Sequence, residues 1–432
     1  MPRPGLAHAY PEQLAAFAAA RIGELGMTPV GVTLPEDVEA VESALTVAYQ
    51  VSLLRDEDRP LTFRLALAPP SAFADESGPP RGVHRLVFTS ARPFTVFELQ
   101  KLAPAVKFAR SIVGASVEGD HLELWGILHT GTRWLQVVRG GRTPPPEMPS
   151  ILMVHVNGPG NLVVSIGSRT LARLYGGELT IPMMDVFDSK WLSSLFAQVR
   201  DEVEVLYAES AKAAGGWPAA DMELVRRLGQ SFVRRVISTI RAARHGGTIL
   251  IVPGEQLQQM CDRGLVEAKY HFADSEPRRR FKTLVMSALR RLAEDHKGDR
   301  AVIGWDDYEA SGAVAEVDEG ILELSQLVSG LADVDGLVVM TQRFEVCGFG
   351  GIVSGKLKDV GTVYQALDLE GCCRVQEATQ GTGTRHGAAY RIVSALKDAL
   401  CIVVSQDGGV RFVRWHAGSV TYWDQVAAQT FG

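Results

Sequence analysis

The nine residues from His245 to Pro253, HGGTILIVP, constrain the fold of this chain more than any other segment. Apolar side chains follow one another without a break from Ile249 to Val252, between glycines on one side and a proline on the other. Successive side chains of a strand point to opposite faces, so this run predicts a strand that is buried on both faces. The chain must therefore cover both sides of a sheet, and a mixed sheet flanked by helices does so.

The patterns that follow alternate between helix and strand. Helices are predicted for EGILELSQLVSGLA and RHGAAYRIVSALKDA, and an interrupted helical region extends through Ala293. Strands are predicted for DGLVVM, LCIVVS, VRFVRWH and SVTYW, and the run FEVCGFGGIVSG lies among them. We therefore expect an α/β domain over residues 245–432, in which helices flank a mixed β-sheet.

The pattern of strands, helix and loops in residues 1–190 predicts a separate α+β domain. Two stretches rich in proline and glycine, 69–80 and 143–149, are typical of exposed loops. Between them lie the strand VHRLVFTSARPF, a helix that begins near Thr95, and the paired strands HLELWGILHTG and TRWLQVVRGG. Further strands follow the second loop. Trp125, in LELWGIL, is predicted to be a core aromatic.

Residues 191–244 change to helical periodicity, which Gly215 and Gly216 interrupt. We interpret them as a helical connector between the two domains. A spacer, a dimer stalk and a helix pair packed on the following domain all satisfy this pattern.

The composition excludes several classes of protein. With 46% hydrophobic and 22% charged residues the chain is globular, and its formal charge of −6 offers no general surface for nucleic acid or an anionic membrane. One basic cluster, Arg278 to Arg280 with Arg290 and Arg291, is interpreted as solvated helix surface because no aromatic residues are interleaved with it. A nucleic-acid partner is therefore not expected.

The chain shows no signal-peptide core and no stretch of 18 apolar residues, which predicts a cytoplasmic protein with no membrane partner. Its five cysteines are too few for a disulfide scaffold, and no CxxC pair indicates zinc. The adjacent Cys372 and Cys373 are therefore predicted to be reduced thiols.

Three short polar segments adjoin the predicted elements of the C-terminal domain. Asp335-Gly336 opens the DGLVVM strand and places a carboxylate where a glycine allows a ligand to approach. The loop from Thr382 to His386 leads into a helix, so its hydroxyls, N–H groups and Arg385 would face an anion. The segment from Ser405 to Gly409 follows a buried strand. Each also has an ordinary explanation: a turn, a helix capped by Thr384, and a β-turn.

The order of these segments, from about Gly246 to about Val413, resembles the diadenylate cyclase domain family. The shared features are a Gly-Gly-Thr-led hydrophobic strand, a D-G-x strand start, a G-T-R-H helix start and a V-S-x-x-G strand end. Domains of that family bind one ATP per protomer, and two protomers meet so that each ribose 3′-oxygen attacks the other nucleotide's α-phosphate. The resemblance implies a bacterial signalling enzyme that makes cyclic di-AMP, as a homo-oligomer with facing sites.

The resemblance also implies the residues of the site. Asp335 would hold a Mg²⁺ or Mn²⁺ ion or help to deprotonate the 3′-hydroxyl, and His386 would be catalytic or a neighbour of the metal. The residues that would contact ATP and its phosphates are Gly336, Thr384, Arg385, His386, Gly387 and Ser405.

The sequence departs from the family pattern at three positions. Leu337 stands where the family's D-G-A has alanine. Gly387 stands where R-H-R has its second arginine, and Gln406 stands where S-E-E has its first glutamate. Two charges are lost, and one such electrostatic donor is typically worth about 3 kcal/mol of transition-state stabilisation. An alternative hypothesis is therefore a nucleotide sensor that has kept the pocket and lost turnover. A third is a structural or interaction protein, in which the three segments would not meet.

The N-terminal region resembles a DACNV-like domain, a probable sensor that accompanies some diadenylate cyclase domains. The residues that carry this resemblance are LVVSIGSRTLARLYGGEL and, at the junction, HGGTILIVP. No metal-ligand spacing, Ser/His/Asp set or P-loop identifies its ligand. The resemblance implies that this domain regulates the output of the C-terminal domain.

Overall fold

The computed structural model describes residues 8–33, 36–73, 78–79, 82–119, 121–131, 140–142, 148–167, 169–180, 185–273, 276–406 and 408–425. These residues form two compact units, one of residues 8–131 and 148–180, the other of residues 140–142 and 185–425. Within these ranges, no helix combines the length and the apolar character that a membrane crossing needs.

The N-terminal unit combines helices with a sheet, as predicted. Its helices are α1 (Pro11–Glu24), α2 (Val38–Ser52) and α3 (Val96–Leu102). Its strands are β1 (Arg55–Asp56), β2 (Arg59–Pro60), β3 (Phe63–Leu67), β4 (His84–Pro93), β5 (Ser111–Glu118), β6 (His121–His129), β7 (Leu152–Gly158), β8 (Asn161–Ile166), β9 (Arg169–Tyr175) and β10 (Glu178–Thr180). The larger sheet has the order β10-β9-β8-β7-β3-β5-β6-β4.

Both faces of this sheet are covered by apolar side chains. Phe63 and Leu65 of β3 pack with Leu14 and Leu45 of the helices on one face. On the other face Trp125 is buried and donates its indole N–H to Ala68 O at 2.8 Å, which confirms the prediction of a core aromatic. Strand β6 pairs with β5 and β4. The partner predicted for it, TRWLQVVRGG, includes residues 132–139, which lie outside the described residues.

A polar pair, Arg64 and His155, is fully buried within the same sheet. Arg64 donates its Nε–H to Phe108 O at 2.7 Å, and His155 Nε2 lies 2.8 Å from Ser165 Oγ. Burial, and then the positive charge of Arg64, lower the pKa of His155 to about 3. The ring is therefore neutral in the folded protein at neutral pH.

The C-terminal unit surrounds a larger mixed sheet with helices. Its helices are α4 (Lys190–Leu195), α5 (Ala197–Ala214), α6 (Met222–Ala243), α7 (Gln256–Asp262), α8 (Arg280–Asp295), α9 (Trp305–Ala310), α10 (Ala315–Leu331) and α11 (Thr384–Ala395). Its strands are β11 (Ala219–Ala220), β12 (Gly247–Val252), β13 (Val266–His271), β14 (Val302–Ile303), β15 (Leu337–Thr341), β16 (Val346–Val353), β17 (Thr362–Ala366), β18 (Arg374–Ala378), β19 (Leu400–Val404), β20 (Val410–His416) and β21 (Ser419–Asp424).

Strand β12 lies inside this sheet, whose order is β13-β16-β15-β12-β19-β20-β21-β17-β18. All six of its residues are buried, as the sequence predicted. Ile249 and Ile251 face a core formed with α4 to α6 and α8 to α10, while Leu250 and Val252 face a core formed with α7 and α11. The α/β class and the mixed sheet flanked by helices are therefore confirmed.

Two features of this unit differ from the sequence-based expectations, and one choice left open is decided. Strand β13 lies within the region predicted to be interrupted helix; the prediction missed it because an edge strand exposes most of its side chains and has no apolar pattern. Of the three interpretations of residues 191–244, the structure supports helices packed on the following unit, since α4 to α6 contribute to its core. The Arg278 side chain is largely buried, and its Nη2 atom lies 3.6 Å from Glu345 Oε2, so Arg278 is not solvated helix surface.

An ion pair joins α6 to α10 inside the larger core. Arg235 is only 6% exposed and donates to Asp318 Oδ1 at 2.6 Å, to Asp318 O at 3.0 Å and to Gly140 O at 2.6 Å. The Tyr308 hydroxyl donates to the same carboxylate at 3.0 Å. Asp318 therefore balances a buried guanidinium and accepts a buried hydroxyl.

We expect Asp318→Ala to lower the free energy of unfolding by about 3 kcal/mol, because it leaves the Arg235 guanidinium buried without its carboxylate. The measurement is urea unfolding of the full chain. The control is Glu319→Ala, which removes an exposed carboxylate one residue away and should change the free energy by less than about 0.5 kcal/mol. Equal effects of the two variants would contradict the prediction.

His155 should make the N-terminal unit less stable as the pH falls. The folded protein keeps this ring neutral to about pH 3, whereas an unfolded chain takes up the proton below its ordinary pKa of 6.5. The free energy of unfolding should therefore decrease by about 1.4 kcal/mol per pH unit between these values. The measurement is urea-dependent hydrogen exchange in peptides from β7 and β8. The free energy of unfolding obtained in this way should depend less on pH in His155→Gln than in the native protein. The exposed His121→Gln should keep the native slope.

Candidate functional site at one end of the C-terminal sheet

Three polar segments meet at one end of the C-terminal sheet. Strands β12 and β15 run parallel, with Ile249 beside Val338, and β19 runs antiparallel to β12, with Gly247 opposite Val404. The residues that precede β12 and β15 therefore lie at the same end as the residues that follow β19. These are Gly246, Asp335-Gly336 and the segment from Ser405 to Gly409.

Helix α11 brings Arg385 to this end of the sheet. A Cβ atom placed on Gly246 would lie 3.1 Å from Arg385 Nη1, 2.7 Å from Val404 O and 3.2 Å from Gln406 N. Gly246 has a φ of +69°, in the region that favours glycine. The absence of a side chain at Gly246 thus leaves the space into which the guanidinium fits.

Helix α11 begins at the same end, because Arg385 belongs to its first turn. The helix begins at Thr384, and Gly383 is the N-cap residue, with no side-chain hydrogen bond to the turn. The alternative in which Thr384 caps the helix is therefore wrong. The first turn of a helix carries partial positive charge, which favours an anion.

Asp335 and Gly336 lie just before β15. Asp335 is exposed. Gly336 has a φ of +122°, and a Cβ atom there would lie 2.7 Å from both Gly350 C and Gly351 O of β16. This glycine allows β15 and β16 to pack closely where their pairing shifts register, and its contact with a ligand stays a prediction.

The remaining predicted residues lie on α11 and on the turn after β19. His386 and Gly387 are half-buried, and the His386 ring centroid is 6.4 Å from that of Tyr390. Thr384 is exposed. Ser405 Oγ donates to Gly409 O at 3.0 Å and Gly408 N–H donates to Ser405 O, which confirms the predicted β-turn.

Four further residues at this end escaped the sequence analysis. Arg241 of α6 lies with its Nε and Nη2 atoms 3.7 Å from the position of a Cβ on Gly408. His245, just before Gly246, contacts Asp333 through Nε2 and Oδ1. Thr248 is buried, and its Oγ1 has no hydrogen-bond partner among the described residues. His245 and Asp333 precede the same two strands as the motif residues, which is the signal that could have found them.

A layer of polar side chains fixes α11 to the sheet beneath it. Arg411 donates to Asp424 at 2.9 Å and to the Tyr390 hydroxyl at 3.4 Å. Burial by itself would lower the pKa of the Arg411 guanidinium. The negative charge of Asp424 outweighs this effect, so the pKa of Arg411 is raised. Burial also raises the pKa of Tyr390 and, with a hydrogen bond to Glu377, that of Tyr422. The phenols are neutral and the arginine is charged, so the layer holds α11 by charge-assisted hydrogen bonds.

The side chains at this end of the sheet could hold a metal ion only if a bound ligand supplied further oxygen atoms. Among the residues that the structure describes, no three or more His, Cys, Asp or Glu side chains form a group that could hold a metal. Mg²⁺ is commonly bound by one or two carboxylates with substrate phosphates, rather than by an all-protein cage. An exposed carboxylate such as Asp335 fits that mode.

Comparison with known proteins identifies part of the N-terminal unit. Residues 32–129 match the family described as "Probable sensor domain DACNV". The residues on which the N-terminal resemblance rested, 162–179 and 245–253, lie outside this match. No curated protein and no solved structure matches the chain. Over these residues the N-terminal unit is therefore similar to a probable sensor domain.

Proposed function

We propose that the C-terminal unit is a diadenylate cyclase domain that condenses two ATP molecules into cyclic di-AMP and pyrophosphate, under the control of the N-terminal sensor domain. The observation that carries this proposal is that the position of a Cβ atom on Gly246 lies within 3.2 Å of Arg385 Nη1, Val404 O and Gln406 N. Segments about 140 residues apart in the chain meet at one sheet end, in the order that the cyclase family shows. The match to a DACNV sensor domain supports the same assignment.

Each group at this end has a role that its chemistry allows. Arg385 and the positive end of the α11 helix dipole bind the triphosphate, because guanidinium groups and helix N-termini both favour phosphate oxygens. Arg241 and His245 add positive charge or hydrogen-bond donors nearby. Asp335 accepts the proton of the ribose 3′-hydroxyl.

The reaction balances without a further reactant. The 3′-oxygen of one ATP forms a bond to the α-phosphorus of the other, and the bond from that phosphorus to the bridging oxygen breaks. Pyrophosphate leaves, and the 3′-hydroxyl proton passes to Asp335 and then to water. The same attack in the opposite direction closes the ring and releases the second pyrophosphate. In the alternative role of Asp335, this carboxylate and the phosphates would hold a Mg²⁺ or Mn²⁺ ion, with His386 as a neighbour, and the ion would neutralise charge on the leaving group. Two copies must face each other, so the enzyme acts as a homo-oligomer.

The second candidate function is a nucleotide sensor that binds ATP or cyclic di-AMP without turnover. The observation that favours it is the pair of lost charges at Gly387 and Gln406. A Cβ atom on Gly387 would meet no heavy atom within 4 Å, so this position has room for the start of a side chain.

Asp335→Asn should abolish product formation, because the amide cannot accept the 3′-hydroxyl proton. The measurement is mass spectrometry of cyclic di-AMP after incubation of the full chain with ATP and either Mg²⁺ or Mn²⁺. We expect a loss of at least about a hundredfold, whereas Asp299→Asn, an exposed carboxylate between α8 and β14, should be active. If the native chain binds ATP by calorimetry but forms no product with either metal, the sensor replaces the enzyme.

Gly387→Arg should raise the rate of cyclic di-AMP formation by about tenfold or more, because it restores a guanidinium on the first turn of α11. The matched control is Gly387→Ala, which gives the same gain in helix propensity of about 1 kcal/mol without the charge. If both variants change the rate equally, the effect comes from the stability of the helix and not from phosphate binding.

A further inference from the structure

Strand β13 ends the C-terminal sheet and has a neighbour on one side, β16. Phe272 N–H donates to Cys347 O and Ser354 N–H donates to Leu265 O, both at 2.9 Å, so β16 holds β13 at both of its ends. Among the described residues no strand pairs with the other side of β13, so the N–H and C=O groups of alternate residues point away from the sheet there. Glu267 and Lys269 are exposed, and this edge can accept a further strand.

The sequence of this edge is complementary to itself. If a second copy of β13 pairs antiparallel with the first and the two-fold axis passes through Ala268, Glu267 lies opposite Lys269 of the second copy, and Lys269 lies opposite its Glu267. Antiparallel pairing about this axis exchanges backbone hydrogen bonds whichever alternate residues of β13 point outward. Opposite charges directly across an antiparallel pair are stabilising. The edge therefore carries two ion pairs and their hydrogen bonds in one register.

Exposed aromatic rings flank the same edge. Tyr270 is 55% exposed and Phe272 is 43% exposed, and their rings stack on Phe349 with centroids 4.6 and 5.8 Å apart. The pairing centred on Ala268 places Tyr270 opposite Val266 of the second copy. Ile352, directly beside Glu267 on β16, is also 55% exposed. A second copy would cover apolar surface that is otherwise open to water.

We propose that two copies of this chain associate through β13, with antiparallel pairing centred on Ala268 that joins their C-terminal sheets. A two-fold interface requires a patch that matches itself, and the Glu267, Ala268, Lys269 order does so. This association does not depend on the proposed chemistry, because β13 carries none of the residues assigned to the nucleotide.

The first test is zero-length carbodiimide cross-linking of a mixture of ¹⁴N- and ¹⁵N-labelled full-length protein. Peptides that join Glu267 of one label to Lys269 of the other are expected, because only an intermolecular amide can combine the two labels. Dimer formation without any mixed-label Glu267–Lys269 peptide would overturn the proposal.

The second test uses charge reversal and rescue. Glu267→Lys and Lys269→Glu each place two like-charged pairs in the interface, so each should weaken dimerisation by about tenfold or more in sedimentation equilibrium. The double variant Glu267→Lys with Lys269→Glu restores opposite charges and should recover native affinity. Glu319→Lys, a reversal on the exposed side of α10, is the control and should have no effect. A native chain that remains monomeric, or a dimer that both single variants leave unchanged, would overturn the proposal.

Discussion

Burial of β12 on both faces is the constraint on which the C-terminal unit depends. Its isoleucines require the helices of one layer and its Leu250 and Val252 require α11 and α7 on the other, so neither layer is dispensable. Because β12 is parallel to β15 and antiparallel to β19, its burial also fixes where those strands begin and end. The polar segments at that end of the sheet are brought together as a consequence of core packing.

Glycines and charged side chains fix positions that the apolar core alone does not determine. Gly246 and Gly336 each allow a close approach that a Cβ atom would block, the first toward Arg385 and the second toward β16. Inside the core, Arg235 and Asp318 hold α6 against α10, and around α11 the Arg411 network holds the helix that carries Arg385. The position of the guanidinium thus rests on two independent sets of contacts, one apolar and one polar.

The balance between catalysis and binding depends on the charge that remains at the end of this sheet. Gly387 and Gln406 remove two charges relative to the cyclase pattern, while Arg241 and the His245–Asp333 pair lie close by. Phosphoryl transfer needs positive charge where negative charge develops, whereas binding alone needs less. The similarity of residues 32–129 to a probable sensor domain is compatible with both proposed functions.

The sequence by itself determined the α/β class, the buried β12, the strand that follows Asp335-Gly336 and the presence of a helix after the Gly/Thr loop, because these depend on local periodicity and on glycine. It missed β13, since an edge strand with exposed side chains has no apolar pattern. It also missed Arg241, since one arginine within a long helix resembles any other. Only the tertiary structure decided that Arg385 lies beside Gly246, and which of the three arrangements the helices of residues 191–244 adopt. Contacts between distant segments depend on how whole layers pack, and no single segment encodes them.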